Sequence, residues 1–588
     1  MPVIGTAGHV DHGKSTLTLA LSGRDPDRWD EEKRRGLTID LGFAWTDLDG
    51  IDVSFVDVPG HERYSKNMLA GIESIDVALL VVAADEGWMP QSEEHLAVLD
   101  LLEVDSAVVA LSKTDRVDAD LVELGTLEIE ERLAGTTLAG SPIVPVSAMT
   151  GEGVENLRRA LRASVAAVAP LDVGRPRLWV DRSFSASGAG TVVTGTLLGG
   201  AVATDDRMVL HPGEAECRIR GIQSHETTLE SVEPQRRVAL NLGGVSVTEI
   251  ERGAMLGRAG HWRPTERLAV SLRTARYVEE LSDRGAYHLH VGSGAWPVRL
   301  RTIDDGAAVF DLPRPLPLAA GDRFILRDTG RRMVVAGGRV LDPAPPPVAK
   351  LRSALPMLLA ALDSTPDAKA SALLEARGRD TSANLAADSG GGSPEAAVTA
   401  GSSVMTESAA SALVTALERL VADYHRQNPL RPGLPSAEAT SRLRVDPETL
   451  TTLIDRSSRL TIDGSAVRSH AFTGVRSEAQ EQAWQRTRRQ LAEAGPAAAP
   501  RVEELELGIE LVHALAREGE LVRISEEFVF LPSQVDELLE AIGSFTEPFT
   551  VSQFRERSGL SRKYAVPFLE WADRAGHTVR QGDARRPR

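Results

Sequence analysis

Over the first 170 residues, apolar positions gather into short runs separated by amphipathic stretches. The chain opens on Val3-Ile4, and Ile51, Val53 and Phe55 alternate with polar neighbours. That period of two predicts a strand. Further apolar runs cover 76–83, 107–111 and 143–146. With helical segments between them, these runs form the βα pattern of a mainly parallel sheet, assigned to residues 1–172. Pro170 to Pro176 reads as a linker. From Arg177 the pattern changes to short β-branched runs with glycine punctuation, at Thr191–Thr196, Arg218–Ile222 and Val238–Leu242. This predicts a β-barrel over 173–258. A second β-rich region, 259–343, contains Leu268–Leu272, Tyr287–Val291, Val298–Leu300 and Arg323–Leu326. Pro343 to Pro347 follows as a stiff spacer.

Beyond Lys350 the pattern turns helical. At Leu511–Leu531 a helix, a polar turn, a short strand, a tight turn and a second strand follow one another. Weaker copies sit at Leu450–Val467 and Val566–Arg580. Recurrence at roughly 50–65 residues predicts tandem winged helices, here 344–408, 409–473, 474–540 and 541–588. Residues 386–410 are rich in Ala, Ser and Gly and read as a flexible insert.

Composition narrows the class. The 588 residues allow about four domains or more. With 66 basic and 84 acidic residues the net charge is −18, which excludes coating nucleic acid along the whole length. One cysteine, Cys217, leaves no disulfide framework and fits a reducing cytosol. No apolar run reaches the roughly 18 residues of a membrane span. The N-terminus enters a strand directly, without a signal segment, so a cytoplasmic protein is expected.

The strongest chemical signal is Gly8-His9-Val10-Asp11-His12-Gly13-Lys14-Ser15-Thr16. Glycine, four residues, then Gly-Lys-Ser/Thr is a phosphate-binding loop whose backbone N–H groups point at phosphate oxygens. Val10 to Thr16 form the expected cradle, with Lys14 at the β/γ-phosphates and Ser15 on Mg²⁺. The helix beginning there presents its positive end to the same anions. Asp57-Val58-Pro59-Gly60-His61 follows at the end of a strand. Asp57 is placed to hold Mg²⁺ through water, Gly60 to donate to the γ-phosphate, and His61 to reach the attacking water. Thr38, in Arg35-Gly36-Leu37-Thr38-Ile39-Asp40, is a second hydroxyl candidate for the metal. Ser112-Lys113-Thr114-Asp115 and Val146-Ser147-Ala148 supply base recognition. Asp115 can accept both donors of guanine, Lys113 can cover the base, and the Ser147 and Ala148 amides can reach O6. Ser112 stands where the motif usually has Asn, which removes an amide that would brace the phosphate loop. The fold class is therefore an α/β P-loop GTPase domain, two β-barrels and a C-terminal tandem of winged helices.

Residues 1–170 resemble the GTPase domain of translation factors of the elongation factor Tu class. Nearly the full length, apart from 386–410, resembles the bacterial selenocysteine-specific elongation factors, the SelB family. The segments that carry this are 31–42, 188–196, Tyr424–Gly433 and Ser561–Pro567. Ser or Thr at the position of Ser112 is familiar there. The resemblance implies that Val10 and Leu37 form an apolar gate beside His61, and that the cofactors are GTP or GDP and Mg²⁺. The implied partners are selenocysteyl-tRNA, the ribosome and an mRNA hairpin (the SECIS element) beside an in-frame UGA codon, bound by a monomer.

A selenol is more acidic than a thiol, so a pocket that tells selenocysteine from serine needs fixed positive charge. The resemblance places Arg182 and Arg237 there, with Asp181 orienting one of them. Taken alone, Asp181-Arg182 reads as a surface ion pair. From Thr550 to Arg588 nine Arg or Lys face four acidic residues, a surplus of five in an acidic chain. Arg562, Lys563, Arg574 and Arg580 are the candidates for RNA phosphates. Two rival readings stand beside this one. A sulfate-activating GTPase subunit would lack residues 350–588, and a GTP-gated RNA-binding regulator would not need paired barrels.

Overall fold

The strand Val77–Ala83 is buried at all seven positions because both faces of its sheet are covered. The computed structural model describes residues 2–26, 41–59, 75–168, 172–188, 190–304 and 306–588. In the first domain the strand order is Gly42–Asp47, Asp52–Asp57, Val3–Gly8, Val77–Ala83, Ala107–Ser112, Ile143–Pro145. The first pair is antiparallel and the others parallel. Val77, Leu79 and Val81 pack with Leu17 and Leu21 of the helix Lys14–Ser22 and with Leu157 and Leu161 of the helix Val154–Ala166. Ala78, Leu80 and Val82 point the other way, toward Leu96 and Leu99 of the helix Pro90–Leu101. Burial on both faces explains why these strands read as continuous apolar runs.

Two closed barrels follow. In the first, Arg207–His211, Met255–Gly257, Arg177–Trp179, Gly190–Leu198, Arg236–Gly243 and Ala215–Ser224 pair in a ring that Ala215–Ser224 closes on Arg207–His211. Val193, Leu197, Ile219, Val238 and Leu240 fill it. In the second, Pro264–Ser271, Ala307–Pro317, Gly294–Asp304, Tyr287–Val291, Arg323–Asp328 and Met333–Asp342 close in the same way. Closure removes the unpaired edges that invite aggregation. The first barrel meets the GTPase sheet along a polar and aromatic seam. Trp45 stacks on His225, the Ser54 hydroxyl lies 2.9 Å from His225 Nε2, and Gln235 Nε2 donates to Asp76 Oδ1 at 3.1 Å.

The first winged helix consists of the helices Val348–Ala361, Pro366–Arg377 and Ser382–Ser389 and a three-stranded sheet. It corrects the reading of 386–410 as a flexible insert. Ser382–Ser389 is helix, and Val398–Ala400 and Ser403–Met405 form a hairpin that also pairs Arg379–Thr381. The ordering force is non-local and so absent from the local pattern. Asp388 is fully buried and pairs with Arg377 at 2.7 Å and Arg263 at 3.1 Å. Arg377 also reaches Asp342, at the end of the second barrel, and Asp380. Leu351, Leu355 and Leu358 continue the apolar contact with Ala269, Val309 and Leu341 of that barrel. The proline spacer therefore turns the chain back onto the barrel.

The chain divides into two compact units, Met1–Thr406 and Glu407–Arg588. In the second, each of the three predicted repeats is a helix followed by an antiparallel hairpin: Pro447–Asp455 with Leu460–Asp463 and Ala466–Ser469, Ile509–Arg517 with Val522–Arg523 and Val529–Phe530, and Arg562–Arg574 with Thr578–Gln581 and Ala584–Pro587. The helix Pro532–Gly543 runs across the boundary expected at 540–541. Its Val535, Leu538 and Ile542 share a core with Phe549 and Phe554, which assigns it to the last winged helix. Ile524, Phe528 and Phe530 join the same core, so the last two winged helices are one packed body.

Removing one partner from a buried charge cluster leaves the others uncompensated. Arg377→Met should lower the stability of the first unit by about 3–5 kcal/mol and open 390–406 to thermolysin, read by thermal unfolding and mapping of fragments. Cleavage of the wild type in that segment at the rate of an unfolded control would refute its order.

Candidate functional site

The phosphate loop joins the strand Val3–Gly8 to the helix Lys14–Ser22 at the carboxyl edge of the sheet. Gly8 has φ +128°, and a Cβ there would lie 2.1 Å from the Val81 carbonyl oxygen, so only glycine fits. Gly13 (φ 91°) and Asp11 (φ 62°) also take left-handed conformations, which curls the loop around its centre. Lys14 Nζ donates to the carbonyls of His9 at 2.7 Å and Gly8 at 3.1 Å. His12 is buried with its Nδ1 3.3 Å from both the Val81 carbonyl and the Ala83 amide, and burial pushes it down to about 4.

Two of the expected metal ligands converge. Ser15 Oγ donates to Asp57 Oδ2 at 2.6 Å, and Thr6 Oγ1 donates to Asp57 Oδ1 at 2.6 Å while accepting from the Val58 amide. A hydroxyl beside a fixed carboxylate suits Mg²⁺, which takes one or two protein oxygens and completes its shell with phosphate and water. Thr6 was not legible as a site residue, because its role depends on the neighbouring strand. Thr38, Gly60 and His61, with Leu37 of the expected gate, lie outside the described residues.

The base-recognition segments meet because Ala107–Ser112 and Ile143–Pro145 are parallel neighbours. Lys113 takes a left-handed φ of 58° and leads into the turn Thr114–Arg116, which exposes Asp115. Lys113 Nζ is held by Glu86 at 2.6 Å and Asp85 at 3.4 Å, two carboxylates that the motif does not contain. The buried Ser147 accepts from the Thr150 amide, which fixes the turn bearing Ala148. Ser112 changes the expectation that the loop lacks a brace. Its hydroxyl donates to the His12 carbonyl at 2.6 Å, doing from a shorter side chain what an amide would do.

At the seam with the first barrel, Asp181 pairs in bidentate fashion with Arg237, at 2.6 and 3.1 Å, rather than with its neighbour Arg182. Thr194 Oγ1 also donates to Asp181, at 2.6 Å. The Arg237 guanidinium lies 3.5 Å from the ring centroid of Phe43 and that of Arg182 lies 5.2 Å from it. Arg182 Nη2 donates to the Leu41 carbonyl at 2.8 Å. Among the described residues, two guanidinium groups and one carboxylate thus meet around a buried phenyl ring contributed by the GTPase sheet. Phe43 carried no signal in the sequence beyond its place in an apolar strand.

In the second unit Arg562 and Lys563 open the helix Arg562–Arg574 and are exposed. Lys563 Nζ lies 5.2 Å from the Phe528 ring. Arg574 donates to the Ile524 carbonyl at 3.1 Å and so ties the last two winged helices together. Arg580 is exposed on the wing, whereas Arg585 is buried against Asp573. The segment Tyr424–Gly433 is a brace. His425 stacks on Phe472 at 3.6 Å, and Arg431 pairs with Glu510.

Ser112→Ala should weaken GDP binding by about fivefold to tenfold, the effect of one lost buried hydrogen bond, and Ser112→Asn should restore it. Titration with a fluorescent GDP checks both. Equal affinity for Ser112→Ala and wild type would show that the hydroxyl is not the brace.

The comparisons with known proteins agree with this geometry. Residues 1–167 match the elongation factor Tu GTP-binding domain, and 265–347 match the β-barrel domain of selenocysteine-specific elongation factors. Residues 419–462 and 544–586 match winged helices of elongation factor SelB. The selenocysteine-specific elongation factor of Desulfomicrobium baculatum is 35% identical, covering 100% of both chains. That of Escherichia coli (strain K12) is 32% identical over 99% of this chain and 98% of its own. The crystal structure of a bacterial selenocysteine-specific elongation factor, EF-Sec, superposes with a TM-score of 0.79 at 26% identity, covering 100% of this chain and 99% of that one. Among the described residues no helix is long and apolar enough to cross a membrane. The chain binds GTP and GDP and hydrolyses GTP. With the GTP-binding domain, the second barrel and two winged helices each matched, and full-length relatives above 30% identity, the chain belongs to the family of selenocysteine-specific elongation factors.

Proposed function

We propose that this GTPase, acting as a cytoplasmic monomer, carries selenocysteyl-tRNA to the ribosome. It reads the in-frame UGA codon through an mRNA hairpin, the SECIS element, held by its last winged helix. The observation that carries this reading is the meeting of Arg182 and Arg237 on Phe43, with Asp181 fixing Arg237. An arginine fork stays charged under all physiological conditions, and a partly buried charge held against an aromatic ring attracts an anion more strongly than one in bulk water. A selenolate at neutral pH supplies that anion, and a seryl hydroxyl does not. Full-length similarity to the two curated factors disfavours the rival readings, because it runs through residues 344–588 as well as through both barrels.

For hydrolysis, the loop residues Val10 to Thr16 enclose the phosphates and Lys14 sets a positive charge beside them. Ser15, Asp57 and Thr38 would hold Mg²⁺, which when bound neutralises charge on the β- and γ-phosphates. His61 orients a water whose oxygen attacks the γ-phosphorus in line. The bond from that phosphorus to the β,γ-bridging oxygen breaks, giving GDP and phosphate. Ser112, Lys113, Asp115, Ser147 and Ala148 select guanine. Arg562, Lys563 and Arg580 face RNA phosphates. Arg574 contributes mainly by holding the recognition helix against the preceding winged helix.

Arg237→Ala and Arg182→Ala should each weaken selenocysteyl-tRNA by 10- to 150-fold, about 1.5–3 kcal/mol, and seryl-tRNA far less. Equal loss for both tRNAs, measured by filter binding, would move the selenolate pocket elsewhere. In the full chain, Arg562→Ala with Lys563→Ala should lower hairpin affinity and flatten its salt dependence, because each lost phosphate contact removes one counterion-release step. GTP turnover should not change. An unaltered salt slope would place the RNA on another face.

A further inference from the structure

Two amides of the phosphate loop are held by one helix. The Gly8 N–H donates to His95 Nδ1 at 2.8 Å, and the Val10 N–H donates to Gln91 Oε1 at 3.0 Å. Both acceptors belong to the helix Pro90–Leu101, four residues apart and hence on one face. Its other contacts anchor it to the second barrel: Arg276 Nη2 donates to Glu93 at 3.0 Å, and the Val334 amide donates to Glu94. The two amides so engaged lie at the end of the loop next to the strand Val3–Gly8.

We infer that His95 and Gln91 are positioning residues for the nucleotide: by fixing the Gly8 and Val10 amides they hold the loop in its phosphate-binding shape and slow nucleotide release. Gly8 cannot adjust without them. It is buried, its backbone lies against Val81, and its carbonyl is one of the two that hold Lys14. Removing its acceptor leaves a buried N–H without a partner and frees the peptide plane that aims the Lys14 ammonium. The role requires an imidazole with a lone pair on Nδ1. Burial, helped by the nearby Lys14 charge, pushes His95 down to about 3 and keeps it neutral.

The test is the dissociation rate of a fluorescent GDP from the full-length protein, by stopped flow. His95→Leu and Gln91→Met each remove an acceptor and should speed release roughly tenfold. His95→Asn keeps an acceptor near the position of Nδ1 and should stay within about threefold of wild type. Packing alone predicts the reverse order, because a buried site accommodates Leu better than Asn. Release from His95→Leu within threefold of wild type, or His95→Asn as fast as His95→Leu, would overturn the inference. Should His95→Leu fail to fold, Gln91→Met at its half-buried position decides the matter, and a wild-type rate there overturns it as well.

Discussion

The parallel pairing of Val3–Gly8 with Asp52–Asp57 is the constraint on which the nucleotide edge depends. It sets Thr6 beside Asp57, so that one hydroxyl accepts from the Val58 amide and donates to the Asp57 carboxylate. Asp57 in turn accepts from Ser15, at the start of the helix that the loop leads into. Loop, helix and carboxylate are thereby fixed to one another before any phosphate arrives. Preorganisation of this kind lets a site stabilise developing charge without rearranging during the reaction. The sheet tolerates the buried Thr6 and Asp57 at its edge because both are hydrogen-bonded.

The parts of the molecule that announce themselves in sequence are those whose chemistry is local. Gly8 to Thr16 and Ser112 to Asp115 act through consecutive residues, and the barrels and winged helices follow from runs and turns a few positions long. The parts that stayed hidden act across the fold. His95 is 87 residues from the amide it accepts from. Arg237 finds Phe43 and Asp181 only once a barrel has closed against the sheet. Residues 386–410 look flexible because Ala, Ser and Gly carry little pattern, yet Asp388 is locked by Arg377 and Arg263, neither of which a local window contains.

The placement of charge is hidden in the same way. The tail has a surplus of five positive charges, and Arg585 neutralises Asp573 in the interior of the last winged helix, which removes one charge of each sign and leaves that surplus unchanged. The cations exposed at the surface, Arg562, Lys563, Arg574 and Arg580 among them, form the footprint that carries it. A salt-dependence measurement reports that footprint, not the composition.

Phe43 carries a consequence for how the molecule can change over time. The ring belongs to the strand Gly42–Asp47 of the GTPase sheet, yet it forms one wall of the corner where Arg182 and Arg237 meet. A substitution that retunes the amino-acid preference of the barrel must therefore remain compatible with a strand whose neighbour, Asp52–Asp57, ends in Asp57. Under the proposed function, selectivity for the cargo and timing of the nucleotide cycle share a single wall, and mutational drift in either is confined to what the other tolerates. Such a seam favours inheritance of the sheet and the first barrel as one block, with the winged helices freer to diverge.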